Sequence, residues 1–140
     1  MSGLQLPSNY RVSVKALITN DEGQLLMVNE GAHHWDLPGG GLDHGESVEQ
    51  ALRRELTEEL DVTLGTVSAK PLFLWTFKSK KPERGHLLWL VYAATITGDP
   101  KLTADTSDFA YLDLSKLELA ALAEYFTPDA YQELTSYRAT

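Results

Sequence analysis

Apolar and polar positions alternate at the start of the chain. Val12, Val14, Ala16 and Ile18 are interleaved with Arg11, Ser13, Lys15 and Thr19, with Leu17 as the exception. A period of two predicts a strand, after a short irregular lead-in over 1–9. Asn20-Asp21-Glu22-Gly23 is a turn signal. The apolar run from Gln24 to Val28 predicts a second strand, the hairpin partner of the first. From Glu46 to Leu60 there is no Gly or Pro, and Val48, Leu52, Leu56 and Leu60 recur every four residues. That spacing predicts a helix with one apolar stripe. Asp61 then stands where a C-cap belongs.

Leu72 to Phe77 predicts another strand, followed by the basic turn Lys78 to Gly85. Leu87 to Thr97 is apolar on both faces, which predicts a central strand covered on both sides. Gly98-Asp99-Pro100 ends it. Phe109 to Leu114 predicts one more short strand. Ser115 is positioned to cap a helix running to Tyr125 or Phe126, with Leu117, Leu119, Leu122 and Phe126 as its apolar positions. Thr127 as N-cap and Pro128 at the first helical position predict a final helix. This order of elements predicts an α/β or α+β domain with a mixed sheet between helices.

Length adds that one domain spans 1–140, since 140 residues bury a core without staples. Hydrophobic residues make up 43% and charged residues 23%, which excludes disorder and coiled coil as global descriptions. There is no cysteine, which removes disulfides, thiolate zinc sites and a cysteine nucleophile. The formal net charge of −8 argues against an extended nucleic-acid partner and against an anionic membrane. With no basic, apolar leader and no membrane-length run, the expected location is soluble and cytoplasmic.

Charge also points to the chemistry. Between Gly39 and Val62 there are seven acids and two arginines, a net −5 of the chain's −8. On a helical wheel, at about 100° per residue, Glu55, Glu58 and Glu59 lie within about 100° of one another. Like charges at these spacings cost a helix roughly 0.2–0.5 kcal/mol per pair, and their arc borders the apolar stripe. A divalent cation removes both penalties. All-oxygen ligands favour Mg²⁺, with Mn²⁺ as a substitute, over zinc. Arg54 can hold one carboxylate and leave the others free. Gly39, Gly40 and Gly41 let the backbone approach a phosphate or metal closely.

The full pattern is Gly40, five residues, Glu46, seven residues, Arg54-Glu55-Leu56, one residue, Glu58-Glu59, one residue, Asp61, Val62. It resembles the box of the Nudix hydrolase family, G-x₅-E-x₇-R-E-U-x-E-E-x-G-U with U aliphatic, and departs from it only at Asp61. There the family has a glycine that ends the helix in a left-handed conformation, which Asp tolerates better than most residues. Trp35-Asp36-Leu37-Pro38 ahead of the glycines also resembles the family.

The resemblance implies an α/β/α sandwich with a mixed β-sheet. It also implies Mg²⁺-dependent hydrolysis of a small-molecule nucleoside diphosphate linked to another group. By position it implies Glu58 and Glu59 as metal ligands, Glu55 as ligand or base, the Gly39 carbonyl as a further ligand and Arg54 as an orienting residue. Glu46 matches the first acid of the box, a structural position. Family members often carry a further acid on a later loop; Asp105 is the first candidate here and Asp108 the second, the alternative being turn caps.

Weaker signals surround the box. His33 and His34 can face a substrate or lie exposed, and Trp35 can stack on a base or pack beneath the glycines. Lys78, Lys80, Lys81 and Arg84 can steer a polyphosphate or form a solvated turn. His44 and His86 carry no assignment. Phe77 stands where ADP-ribose hydrolases of the family carry proline and near where dinucleoside polyphosphate hydrolases carry tyrosine. By elimination the expected activity is a nucleoside triphosphate pyrophosphatase of the nucleotide-sanitising type. The alternatives are a pyrophosphohydrolase acting on another small diphosphate or an RNA 5′ end, and a non-catalytic nucleotide-sensing module. Homodimerisation through the apolar N-terminal strand is a further expectation.

Overall fold

The computed structural model describes residues 9–29, 34–123 and 126–137. Most of the expected lead-in, together with His33 and Tyr125, lies outside them. Among the described residues eight strands form two sheets. β1 (Tyr10–Leu17) lies between β4 (Gly39–Gly41, antiparallel) and β7 (His86–Thr97, parallel). The far edge of β7 is shared by β5 (Thr63–Val67) along its C-terminal half and β6 (Phe73–Lys78) along its N-terminal half, both antiparallel. A second, antiparallel sheet places β2 (Leu25–Asn29) between β3 (Trp35–Asp36) and β8 (Asp108–Leu112).

The alternation seen in the sequence separates two cores. Val14, Ala16 and Ile18, with Leu26, Val28, Tyr92 and Ala94, pack under α1 (Val48–Leu60) through Ala51, Leu52, Leu56 and Leu60. Leu17, Leu25, Met27, Trp89 and Val91 face the other way, onto Leu114, Leu122, Phe126 and Leu134, the last of these from α2 (Pro128–Ser136). Leu17 breaks the alternation because its face is buried as well. The expected α/β/α layering is present, and β7 is the central strand. Among the described residues no helix is long and apolar enough to cross a membrane.

Two expectations are corrected. β1 and β2 meet at their turn, where Leu26 N–H donates to the Ile18 carbonyl at 2.9 Å, but they are not a continuing hairpin. Both edges of β1 are already paired, with β4 and β7, so β2 turns away into the other sheet. The helix expected from Ser115 is instead two short 3₁₀ turns, Leu114–Lys116 and Leu119–Ala121. Leu117 and Leu122 between and after them are extended, and Leu122 bridges to Trp35 of β3, a pairing that helical backbone cannot make. β4 and β5 were hidden from the pattern, β4 because it is all glycine and β5 because Gly65 interrupts it.

Helix α1 is framed by local chemistry. Ser47 accepts from Gln50 N–H, and the Gln50 side chain accepts from Ser47 N–H, closing a capping box. At the other end Asp61 adopts φ 53° and ψ 41°, the left-handed conformation expected of it, and its N–H returns to the Leu56 and Thr57 carbonyls. Asp61→Gly is expected to stabilise the fold by about 0.5 kcal/mol, because glycine has no Cβ to strain there. A higher urea midpoint at unchanged m-value checks this.

Candidate active site

The glycine segment and the acidic face of α1 meet through three pairs of residues. Gly39 opens β4 at φ +133°, opposite Lys15 of β1. Its N–H donates to Glu59 Oε1 at 2.8 Å, a buried contact between the strand and the last turns of the helix. Glu59 is only 3% exposed. Gly40 faces Glu55 so closely that a Cβ there would come within 2.5 Å of Glu55 Oε1. Gly41 offers its carbonyl to Arg54 Nη2 at 3.0 Å.

Arg54 connects the rest. Its Nε and Nη2 donate to the two oxygens of Glu46 at 2.8 and 2.9 Å, a bidentate pair. Its Nη1 donates to Glu55 Oε1 at 3.0 Å and lies 3.5 Å from Glu58 Oε2. One guanidinium therefore ties the box loop to two of the helix acids. Its partnership with Glu46 holds its proton more firmly than usual. The same hydrogen bond, helped by Asp43 N–H, lowers the Glu46 pKa from 4.5 to about 2. Glu55 moves the other way: burial raises its pKa, Arg54 opposes the rise and Glu58 adds to it.

These shifts set a pH dependence. Glu46 is depressed in the folded state, so its contribution to stability is present above 4.5 and lost as pH falls toward about 2. Removing Arg54 also leaves Glu55 half-buried without its main counter-charge, which adds a cost only while Glu55 is ionised. The stability gap between the wild type and Arg54→Met is therefore expected to be widest at neutral pH, to narrow above 4.5 as Glu55 takes up its proton, and to close as pH falls from 4.5 toward about 2 with Glu46. Urea unfolding at a series of pH values checks it; a gap independent of pH would contradict the charge argument.

Two residues missed by sequence reasoning lie beneath the glycines. Lys15 is 5% exposed, and its Nζ donates to Asp36 Oδ2 at 3.2 Å and to the Leu37 and Gly39 carbonyls at 3.3 Å each. The same ammonium lies 5.4 Å from the Trp89 ring centre. In the sequence Lys15 looks like one polar residue on a solvated face. The signal that could have found it is a lone lysine on a strand whose other face and whose neighbour Leu17 are apolar.

The later loop docks on the end of α1. Thr103 Oγ1 donates to the Glu58 carbonyl at 2.6 Å and lies 3.0 Å from the Glu59 carbonyl, while Lys101 N–H donates to the Leu60 carbonyl at 2.8 Å. Asp105 N–H returns to Thr103 Oγ1 at 3.2 Å, so this exposed acid belongs to the loop that holds the helix end. Asp108 instead accepts from Phe109 N–H at the start of β8. His34 is exposed ahead of β3, and Trp35 packs half-buried against the core around Leu37 and Trp89. His33 lies outside the described residues.

The donor set has the chemistry of a hard-cation site. Glu55, Glu58 and Glu59 offer carboxylate oxygens and Gly39 a carbonyl, with no sulfur or nitrogen ligand among them. A Cβ at Gly40 would meet only the Glu55 carboxylate, so the backbone there passes directly beside that acid. Among the described residues no three acids or histidines already converge as a metal cluster. Arg54 holds Glu55 and Gly39 N–H holds Glu59, which offsets the mutual repulsion of the acids. Glu58, 47% exposed, has the room to turn.

Comparison with known proteins gives the same region a family context. The family model of the NUDIX domain matches residues 9–134. An RNA pyrophosphohydrolase of Vibrio cholerae serotype O1 is 40% identical over 76 residues, which are 54% of this chain and 44% of that protein. The chain thus matches less than half the length of that curated relative. A MutT NUDIX hydrolase structure from Burkholderia pseudomallei superposes with a TM-score of 0.73 at 28% identity, covering 91% of this chain and 100% of the other. A MutT protein from Methanosarcina mazei Go1 gives 0.70 at 26% identity, covering 92% and 95%.

Proposed function

Because the chain belongs to the NUDIX domain family, we propose that it hydrolyses a phosphoric anhydride bond in a nucleoside diphosphate linked to another group, with a nucleoside triphosphate as the first-choice substrate. The observation that carries this reading is the Arg54 clamp, which hydrogen-bonds Gly41, Glu46 and Glu55 and ion-pairs with Glu58 beside the glycine segment. Glu58, Glu59 and the Gly39 carbonyl are the residues that would hold Mg²⁺, or Mn²⁺ in its place. Bound there, the metal supplies neutralising charge for the diphosphate and lowers the pKa of its water.

The protein's own part is positioning and proton handling. Glu55, with a raised pKa and a fixed Oε1, is suited to orient water and take its proton. Arg54 keeps that carboxylate aimed and offsets its repulsion from Glu58. Gly39, Gly40 and Gly41 let this strand lie against β1, Glu55 and Arg11 more closely than any side chain would permit. Asp105 is the second candidate base, carried on the loop that Thr103 fastens to α1. His34 and Trp35 remain candidates for contact with the rest of the substrate. The reading is of a cytoplasmic enzyme.

A second reading, hydrolysis at an RNA 5′ end, is favoured by the Vibrio relative named as an RNA pyrophosphohydrolase. It needs few contacts beyond the triphosphate, so a net charge of −8 does not oppose it strongly. The deciding experiment is mass spectrometry of products from a panel run with Mg²⁺ and with EDTA. The panel holds normal and oxidised nucleoside triphosphates, ADP-ribose, diadenosine polyphosphates, nucleotide sugars and a 5′-triphosphorylated oligonucleotide. Cleavage of one class that EDTA abolishes is the expected result. Tight binding of a nucleotide with no cleavage of any member would replace the enzyme with a sensing module.

A further inference from the structure

Lys15 is only 5% exposed, yet the proposed reaction gives it no part. Lysine is almost never buried so fully without a partner. It stands on β1 directly opposite Gly39 of β4. Its ammonium donates to Asp36 Oδ2 at 3.2 Å and to the Leu37 and Gly39 carbonyls at 3.3 Å each. These three contacts fall on the short segment that leads into the glycines. The Trp89 ring, on the neighbouring strand β7, lies 5.4 Å from the same ammonium.

Gly39 is thereby held through both of its polar groups. Its carbonyl accepts from Lys15, and its N–H donates to Glu59 Oε1 at 2.8 Å. The residue before it is fixed too, since Ala16 N–H donates to the Pro38 carbonyl at 2.9 Å. At φ +133° Gly39 has a conformation that glycine enters freely and also leaves freely, so contacts from elsewhere in the fold must set it. A chain of contacts runs from Asp36 of β3 through Lys15 and Gly39 to Glu59 of α1. Stability alone does not call for charges here. A buried ion pair replaced by apolar residues of similar volume is often neutral or stabilising. An apolar pair, however, could not hold a carbonyl in a set direction. A carbonyl oxygen has two lone pairs, so Lys15 leaves room for a second partner. Asp36 balances the ammonium and so limits its repulsion of a cation beside Glu59.

We propose that Lys15 is a positioning residue, which sets the direction of the Gly39 carbonyl and, through the Gly39 N–H, of the Glu59 carboxylate toward a divalent cation. The inference rests on the hydrolase reading for the presence of that cation. Lys15 acts through Gly39; it contacts neither cation nor substrate and moves no proton. Groups that orient the ligands of a metal change its affinity by about ten- to hundredfold.

The test combines Lys15→Met with Asp36→Leu, because Lys15→Met alone removes the charge beside a buried carboxylate. The double variant is expected to keep a urea midpoint close to that of the wild type. Its affinity for Mn²⁺, read by electron paramagnetic resonance without substrate, is expected to fall about tenfold or more. Hydrogen exchange at Gly39 N–H should quicken in the metal-free protein while the α1 amides stay protected. Wild-type Mn²⁺ affinity in the folded double variant would overturn the proposal and leave the pair a staple between strands. Tighter binding would overturn it too, by showing that the ammonium competes for the carbonyl. Should the double variant not fold, Lys15→Cys takes its place. The chain has no cysteine of its own, so unfolding, aminoethylation and refolding restore an ammonium at this position alone. Alkylation with a propyl group restores the length without the charge. Recovery of Mn²⁺ affinity by the aminoethyl group and not by the propyl group supports the proposal; equal affinity in the two overturns it. EDTA-sensitive turnover in a double variant of unchanged Mn²⁺ affinity removes the proposal and keeps the hydrolase reading. Weakened Mn²⁺ binding in a protein that cleaves no member of the substrate panel does the reverse.

Discussion

Glu58→Gln is expected to lower kcat by about three orders of magnitude while leaving the unfolding midpoint nearly unchanged. The substitution keeps the shape of the side chain and removes its negative charge. Glu58 is half-exposed and its one described ion pair, to Arg54, is long at 3.5 Å. Exposed pairs of that kind are worth about 0–1 kcal/mol, so the fold loses little. The chemistry loses much more. A carboxylate that holds a divalent cation stabilises transition-state charge by several kcal/mol, and about 4 kcal/mol corresponds to roughly 10³ in rate. The variant should also need more Mg²⁺ for half-maximal activity. Steady-state kinetics over a Mg²⁺ series, with a parallel urea titration, separate the two effects. Wild-type turnover in Glu58→Gln would refute the site assignment.

Adjacent glycines should fail in different ways. Gly39→Ala is expected to be severely destabilising, by about 3–5 kcal/mol. At φ +133° an L-residue is strained, and the added Cβ would run into the backbone carbonyl of Val14 on the paired strand β1. Neither partner can rotate away, so β4 must leave its ladder and the Glu59 contact is lost with it. At Gly40 the obstacle is the Glu55 carboxylate, the movable end of a side chain. Gly40→Ala should therefore keep most of the stability and lose activity, because Glu55 swings off Arg54. Thermal or urea unfolding beside kcat measurements checks the contrast. Equal stability losses in the two variants would show that backbone strain at Gly39 is not the controlling term.

How much of this was legible in the chain can be traced element by element. Helix α1 was readable because its stripe, its cap and its acids are all local, and the left-handed Asp61 was readable because a helix must end somewhere that its next residue allows. Strand β7 was readable because an apolar run without alternation has to be covered twice. β4 was not readable, since three glycines have no pattern of side chains to show. The segment after β8 misled because Leu117, Leu119, Leu122 and Phe126 have helical spacing, yet the bridge from Leu122 to Trp35 holds the backbone extended.

The sequence by itself determined the helix, the order of the main strands and the set of acids that can meet a cation, because each depends on neighbours a few residues apart. Only the tertiary structure decided what those groups touch. Lys15 and Asp36, separated by 21 positions, form a buried ion pair under the glycines. Arg54 binds Glu46 eight residues away across a turn, and Gly39 reaches Glu59 across twenty. Tyr10 meets His86 only because β1 and β7 run parallel, a pairing that brings the two strand starts together. Such contacts depend on how strands are ordered in a sheet. That order is set by which edges are already hydrogen-bonded and which faces are buried, and no local pattern in the chain records either.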